Sequence, residues 1–387
     1  MPGKWIWAAG AATMMHPGAA AAQGALGANF NEHFEDVDYR EIDDAGAKWI
    51  RLFLPMPQVD RGAAEHSAVP QVDRGAAEHG AIRTTLEASA RGYKTIFTLK
   101  WPQTDRDFAK AGSADFAREL ARLDAVLPLV MGKVDILVIG NEPYFETREQ
   151  DRDLDLNAFY EAMAARIIAY RKANCGGECK TKLYMGALNR LDLKKNITPS
   201  TERWLAYVKA TPEIEGVNIH PHVPKIELSK AFLDYILPRM RPEQTFIVTE
   251  FSLVGWWQQN LTKPVAPAFA DKYQAPRNAQ NWQIIKAALE TPFPKAQWDD
   301  FLRMSPWFEN RKHYLVNQMK MFRDTGRLAV ATYGFKQGSS MSNNFGPKKT
   351  PWLLNSVYAG RTIRPNPDGT TAFNYAWIDD FRRMQAK

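Results

Sequence analysis

Eight short apolar runs recur along the chain, each separated from the next by a longer, more polar stretch. They are "ALGANF" (25–30), "KWIRLFL" (48–54), "KTIFTLKW" (94–101), "VDILVIG" (134–140), "KLYMGAL" (182–188), "GVNIHP" (216–221), "TFIVTEF" (245–251) and "LAVATYGF" (328–335). Most are apolar nearly throughout rather than alternating, the pattern of strands covered on both faces in a parallel sheet. The stretches between them read as helices: "YREIDDAGA" before the second run, "TTLEASARGY" before the third and "DFARELARLDAVLPLVMGK" before the fourth. Gly46, Gly92 and Gly132 fall where each of these helices stops, a position that favours glycine. Alternating β and α segments of this number predict a (β/α)8 TIM barrel. A doubly wound open sheet competes, but no G-x-G-x-x-G follows the first strand.

Two stretches exceed what a minimal barrel needs. After the second strand, "PQVDRGAAEHSAV" (57–69) is followed at once by its near copy "PQVDRGAAEHGAI" (70–82). Two units are too few for a solenoid, so the pair reads as a duplicated loop whose His66 and His79 are solvated. The second is the long insertion between strands seven and eight, which holds Trp256, Trp257, Trp282, Trp298 and Trp307. Tryptophans there serve either as stacking platforms for sugar rings or as a local core.

Composition narrows the partners. The chain has 387 residues, 45% hydrophobic and 24% charged, which is globular, and α/β barrels reach this length as one unit. Its net charge of +7 comes from scattered Lys and Arg rather than from a dense basic run, so nucleic acid is not an expected partner. Residues 1–22 pair a single Lys with a short apolar run and an A-x-A arrangement at Ala20 and Ala22, and read as an export signal. That leaves residues 23–387 as one barrel, secreted or periplasmic, with no membrane span and a monomeric state expected. Cys175 and Cys179, the only cysteines, lie in "NCGGECK" and fit a disulfide in an exported protein better than a metal site.

In such barrels the functional residues sit at the C-terminal ends of the strands. Reading those ends gives Arg51, Trp101, Asn141 with Glu142, Asn189, His220 with His222, Glu250, and Lys336 with Gln337. Two are carboxylates, at strands four and seven. Cleaving a glycosidic bond takes one carboxylic acid to protonate the leaving oxygen and a second carboxylate to attack or to activate water. "VIGNEP" and "FIVTEF" resemble the paired signatures of the glycoside hydrolase clan A superfamily, which are retaining β-glycosidases on (β/α) barrels. "IDDAGAKWIRLFLP", "ASARGYKTIFTLKW" and "EGVNIHPHV" fall where such enzymes carry their first helix, third strand and sixth strand.

The resemblance implies Glu142 as general acid/base, Glu250 as nucleophile, Asn141 on the sugar 2-hydroxyl and Arg51 beside Glu250. It implies a carbohydrate substrate and no cofactor. Two departures stand out. Where some families of the clan carry His, a variable residue and Tyr on strand six, this chain has His220-Pro221-His222; where several carry a strand-eight Trp, it has Tyr333. Tyr333, Trp101 and Trp352 are the candidates to replace that platform. A metal reading of the His pair is the weaker alternative, because no matching Asp lies on the last strand. A transglycosylase and a non-catalytic carbohydrate-binding barrel are the other readings carried forward.

Overall fold

The computed structural model describes residues 24–60, 75–176 and 179–385. Eight parallel strands close into one barrel in sequence order: β1 (Ala25–Asn29), β2 (Trp49–Pro55), β3 (Lys94–Lys100), β4 (Ile136–Ile139), β5 (Lys182–Asn189), β6 (Gly216–His220), β7 (Thr245–Val248) and β8 (Leu328–Gly334). Closure is made by β1 on β8, with Ala25 opposite Val330 and Asn29 opposite Gly334. The export-signal reading of residues 1–22 and His66 lie outside the described residues.

Helices α1 (Tyr39–Asp44), α2 (Gly80–Ala90), α3 (Ala114–Val130), α4 (Leu154–Asn174), α5 (Pro199–Ala210) and α6 (Ser229–Ile236) cover the outside. Their starts follow ordinary capping chemistry. The Ser113 hydroxyl accepts the Phe116 N–H at α3, and Thr198 and Thr201 cap each other's backbone at α5, where Pro199 is the first residue. Inside the barrel, Ile96, Ile136, Val138, Tyr184, Ile247 and Val330 form a separate apolar plug. Its bulk fills the lower barrel and leaves the C-terminal mouth to polar side chains.

Strands four and seven are shorter than the apolar runs that predict them. At β4 the chain leaves the sheet at Gly140, with φ of +98° and a position where any Cβ would lie 2.4 Å from the Gly186 carbonyl oxygen. Only glycine fits so close an approach, and the turn it allows delivers Asn141 and Glu142 to the barrel mouth. β7 ends at Val248, and the next residues carry Thr249 and Glu250 to the same mouth.

Between β7 and β8 lie α7 (Val254–Asn260), α8 (Pro267–Tyr273), α9 (Asn281–Glu290), α10 (Lys295–Arg303), α11 (Pro306–Glu309) and α12 (Tyr314–Arg323). Trp257 is buried against Trp307 and Phe308, Trp298 is buried on Phe301, and Trp256 donates its indole N–H to the Trp307 carbonyl at 2.7 Å. These tryptophans make a local core, and none of the five lines the cleft described below. After β8 come α13 (Ser339–Ser342) and α14 (Ile378–Gln385).

The second copy of the duplicated segment is not simply a loop. It runs into α2, and His79, expected to be solvated, is buried at the helix N-cap. Its Nδ1 accepts the Ala81 N–H at 3.2 Å while Nε2 meets Gln58 Oε1 at 3.1 Å. Cys175 and Cys179 are paired as a disulfide. Among the described residues no helix is long and apolar enough to cross a membrane.

Candidate active site

A cleft of about 220 Å³ opens at the C-terminal mouth, with Glu142, Glu250, Asn141, His222, Lys100 and Trp352 in its wall. Arg51 lies beneath it, fully buried, and its guanidinium organises the floor. Nη1 donates to Glu250 Oε1 at 2.8 Å, to Asn31 Oδ1 at 2.7 Å and to Asn29 Oδ1 at 3.0 Å; Nη2 donates to Asn141 Oδ1 at 2.7 Å and Nε to Thr98 Oγ1 at 3.3 Å. One side chain from β2 thereby fixes groups that follow β1, β4 and β7. The Asn141 amide donates in turn to Glu146 Oε1 at 2.7 Å.

The two imidazoles stand between the carboxylates. His220 Nδ1 is 3.0 Å from Glu142 Oε1 and 4.0 Å from Glu250 Oε1, and its Nε2 bonds Thr249 Oγ1 at 2.7 Å. These contacts cap the distance between the two oxygens at about 7 Å, the lower edge of the ~6.5–9.5 Å gap that inverting enzymes keep for a water. His222, where the clan pattern has Tyr, directs Nε2 at Glu250 Oε2 (3.6 Å) and Glu142 Oε1 (3.9 Å), while Nδ1 bonds Ser252 Oγ at 2.8 Å. Its ring stands edge-on to Trp352 with centroids 4.7 Å apart.

These contacts give the carboxylates unequal surroundings. Burial alone would push the Glu250 carboxyl up, but the charges of His220 and Arg51, with His222 beside it, hold it well below the usual carboxylate range. Burial also pushes Glu142 up, and there the His220 hydrogen bond and imidazole charges outweigh it, so the carboxyl sits below its usual value. The charge part of the His220 pull exists only while that imidazole is protonated, and burial drives His220 itself down. Desolvation and the Glu250 charge oppose the pull and favour a proton on Glu142. Glu142 and His220 therefore titrate as a pair.

The sequence-predicted residues divide cleanly. Glu142, Glu250, Asn141, Arg51, His220 and His222 converge on one mouth. Trp101 and Tyr333, expected as sugar platforms, do not reach it, because both are fully buried. Trp101 packs edge-on against Phe159 and Tyr160, and Tyr333 against Phe251 and Trp377. Trp352 faces the cleft, whose wall also includes Phe53 and Phe251. Lys336 pairs with Glu41 at 2.9 Å, Gln337 is buried on Thr362, and Asn189 faces a different cavity of about 380 Å³ with Tyr144 and Phe145.

Sequence reasoning missed Glu146 and Lys100. Glu146 is buried beside the cleft, and burial pushes its carboxyl up against the pull of Lys100 Nζ at 3.0 Å and of Asn141. Its only sequence signal is the place four residues after Glu142 in "NEPYFE". Lys100 ends β3 and was legible as a strand-end cation.

No protein-family model matches the sequence, and no curated protein matches it. Among solved structures, a family 39 glycoside hydrolase from the gut symbiont Bacteroides cellulosilyticus WH2 superposes with a TM-score of 0.53 at 12% identity, over 95% of this chain and 64% of that one. A GH10 protein from Paenibacillus barcinonensis gives a TM-score of 0.51 at 13% identity, over 85% of this chain and 89% of that one. The chain thus spans less than two thirds of the family 39 structure. These likenesses are ones of fold.

Proposed function

We propose that the protein is a retaining glycoside hydrolase that cleaves β-linked oligo- or polysaccharides by double displacement. One observation carries the reading: two carboxylates from β4 and β7 meet across a single imidazole in one cleft, and only Glu250 bears a guanidinium hydrogen bond. Arg51 occupies Glu250 Oε1 and keeps the group ionised, which leaves Oε2 to attack the anomeric carbon. Glu142 gives its proton to the departing glycosidic oxygen, and a glycosyl ester forms on Glu250.

In the second half, a water attacks the anomeric carbon and the ester bond breaks. Glu142, now a carboxylate, takes the proton of that water. Loss of the Glu250 charge at the ester stage removes one of the influences that favour the proton on Glu142, so its affinity for the proton falls when it must serve as base. The Asn141 amide keeps one N–H beyond the bond to Glu146, suited to the sugar 2-hydroxyl, and Trp352 offers the apolar face. The Cys175–Cys179 disulfide supports a site of action outside the reducing cytoplasm.

Reducing-sugar release by the wild type and Glu250→Gln, compared across soluble β-glucans, xylan, mannan and galactan with EDTA present, tests the proposal. Release from one polymer that vanishes in the variant is the expected result. Equal release by both proteins would remove Glu250 from the chemistry.

A further inference from the structure

The side chains at the mouth present more than an acid/base pair. Three donor atoms from two strand ends lie within 4.8 Å of one another: His220 Nδ1, His222 Nε2 and a carboxylate oxygen of Glu142. Glu142 Oε1 is 3.0 Å from His220 Nδ1 and 3.9 Å from His222 Nε2, and Glu250 stands beside them with Oε1 4.0 Å from His220 Nδ1 and Oε2 3.6 Å from His222 Nε2. Donors at ~2.0–2.1 Å from a tetrahedral ion stand roughly 3.3 Å from one another. The two distances from Glu142 Oε1, 3.0 and 3.9 Å, bracket that value before any ion arrives.

Both imidazoles are also oriented from behind. His220 Nε2 meets the Thr249 hydroxyl at 2.7 Å and His222 Nδ1 meets the Ser252 hydroxyl at 2.8 Å. A hydrogen bond on the far nitrogen is what fixes a ligating imidazole and turns the near nitrogen to the ion. The near nitrogen of His222 faces both carboxylates, 3.6 Å from Glu250 Oε2 and 3.9 Å from Glu142 Oε1. Charge agrees with this picture: two carboxylates face a single guanidinium, and Arg51 occupies Oε1 of Glu250, leaving Oε2 toward His222.

We propose that His220, His222 and Glu142 bind one transition-metal dication, with Glu250 beside it. Two imidazole nitrogens and a carboxylate oxygen suit zinc, nickel or copper, whereas calcium and magnesium take oxygen donors. An ion there ties up Glu142, the acid the glycosidase reading needs, so it blocks turnover. That consequence rests on the proposed function; the binding does not.

The test uses tag-free full-length protein stripped with EDTA, then equilibrium dialysis against zinc chloride alone. One zinc per chain is expected, with binding at least tenfold weaker in His222→Ala and in Glu142→Gln, both checked for native circular dichroism. Zinc retained equally by wild type and both variants, or not retained by the wild type, overturns the proposal. A turnover arm separates the two readings. Activity in EDTA that zinc suppresses in competition with substrate supports both. Zinc binding with no glycan cleaved sinks the hydrolase reading and leaves the metal site standing. Cleavage in EDTA that zinc does not suppress, in protein that binds no zinc, does the opposite.

Discussion

Replacing Arg51 with Met takes a fully buried cation from under Glu250 and should be felt in stability as well as in catalysis. The guanidinium donates five hydrogen bonds, three to Asn side chains, one to a Thr and one to the Glu250 carboxylate. The neutral acceptors can turn toward water or one another, but the carboxylate loses its guanidinium partner and keeps only the imidazoles of His220 and His222 beside it. Removing one partner of a buried pair costs about 3–5 kcal/mol; the Glu250 side chain keeps 18% exposure, which favours the lower end. The double variant Arg51→Met with Glu250→Gln leaves no unpaired charge, so it should recover about 1–3 kcal/mol of that loss. Urea unfolding of the four proteins at pH 7 measures the cycle. The pH dependence follows with its sign: a carboxyl held below its unfolded value stabilises the fold above that value and stops doing so as pH falls through the folded one. In Arg51→Met the depression shrinks, so less of the wild type's stability remains to be lost on acidification below about pH 4. Additive stabilities across the cycle would refute the claim that Arg51 acts through the Glu250 charge.

Other consequences follow from the same contacts. Glu142→Ala should slow glycosides with poor leaving groups by about 10²–10⁴ and hardly slow activated aryl glycosides, which need no proton; equal slowing of both would undo the acid assignment. Trp101→Ala should cost about 3–5 kcal/mol in unfolding free energy and leave KM unchanged, because the ring is core; a raised KM with unchanged stability would return it to the cleft. His79 is held down to about 4 by burial, so the stability it contributes is present above its unfolded value of about 6.5 and is lost as pH falls from there toward 4. His79→Gln should flatten the slope of stability between those limits, a change of up to about 3 kcal/mol; an unchanged slope would show that the imidazole does not titrate there.

The barrel was legible because each buried strand writes a nearly continuous apolar run, and the polar residue that ends it marks the mouth. That rule found Glu142, Glu250, Arg51 and His220 directly. It failed for Trp101 and Tyr333 because position along a strand does not say which way a side chain points: one residue more or less turns it from the mouth into the wall. Glu146 was invisible for a different reason. It lies in the turn after β4 and reaches the site only through the bend at Gly140, a geometry no periodicity records. The tryptophans between β7 and β8 illustrate the converse, since aromatic density alone does not distinguish a platform from a mini-core, and contacts such as Trp257 on Phe308 decide it. His222 shows what one substitution in a pattern can do: where the resemblance expects Tyr, the chain sets a second imidazole against both carboxylates.

The central claim, a covalent intermediate on Glu250, is tested most directly by trapping it. A 2-deoxy-2-fluoro β-glycoside with an activated leaving group, matched to the sugar found in the polymer screen, is incubated with the protein, and the digest is mapped by mass spectrometry. One sugar ester per chain, on the peptide that contains Glu250 and absent from Glu250→Gln, is the predicted result. A label on another residue, or turnover that releases the inverted anomer with no label at all, would contradict it.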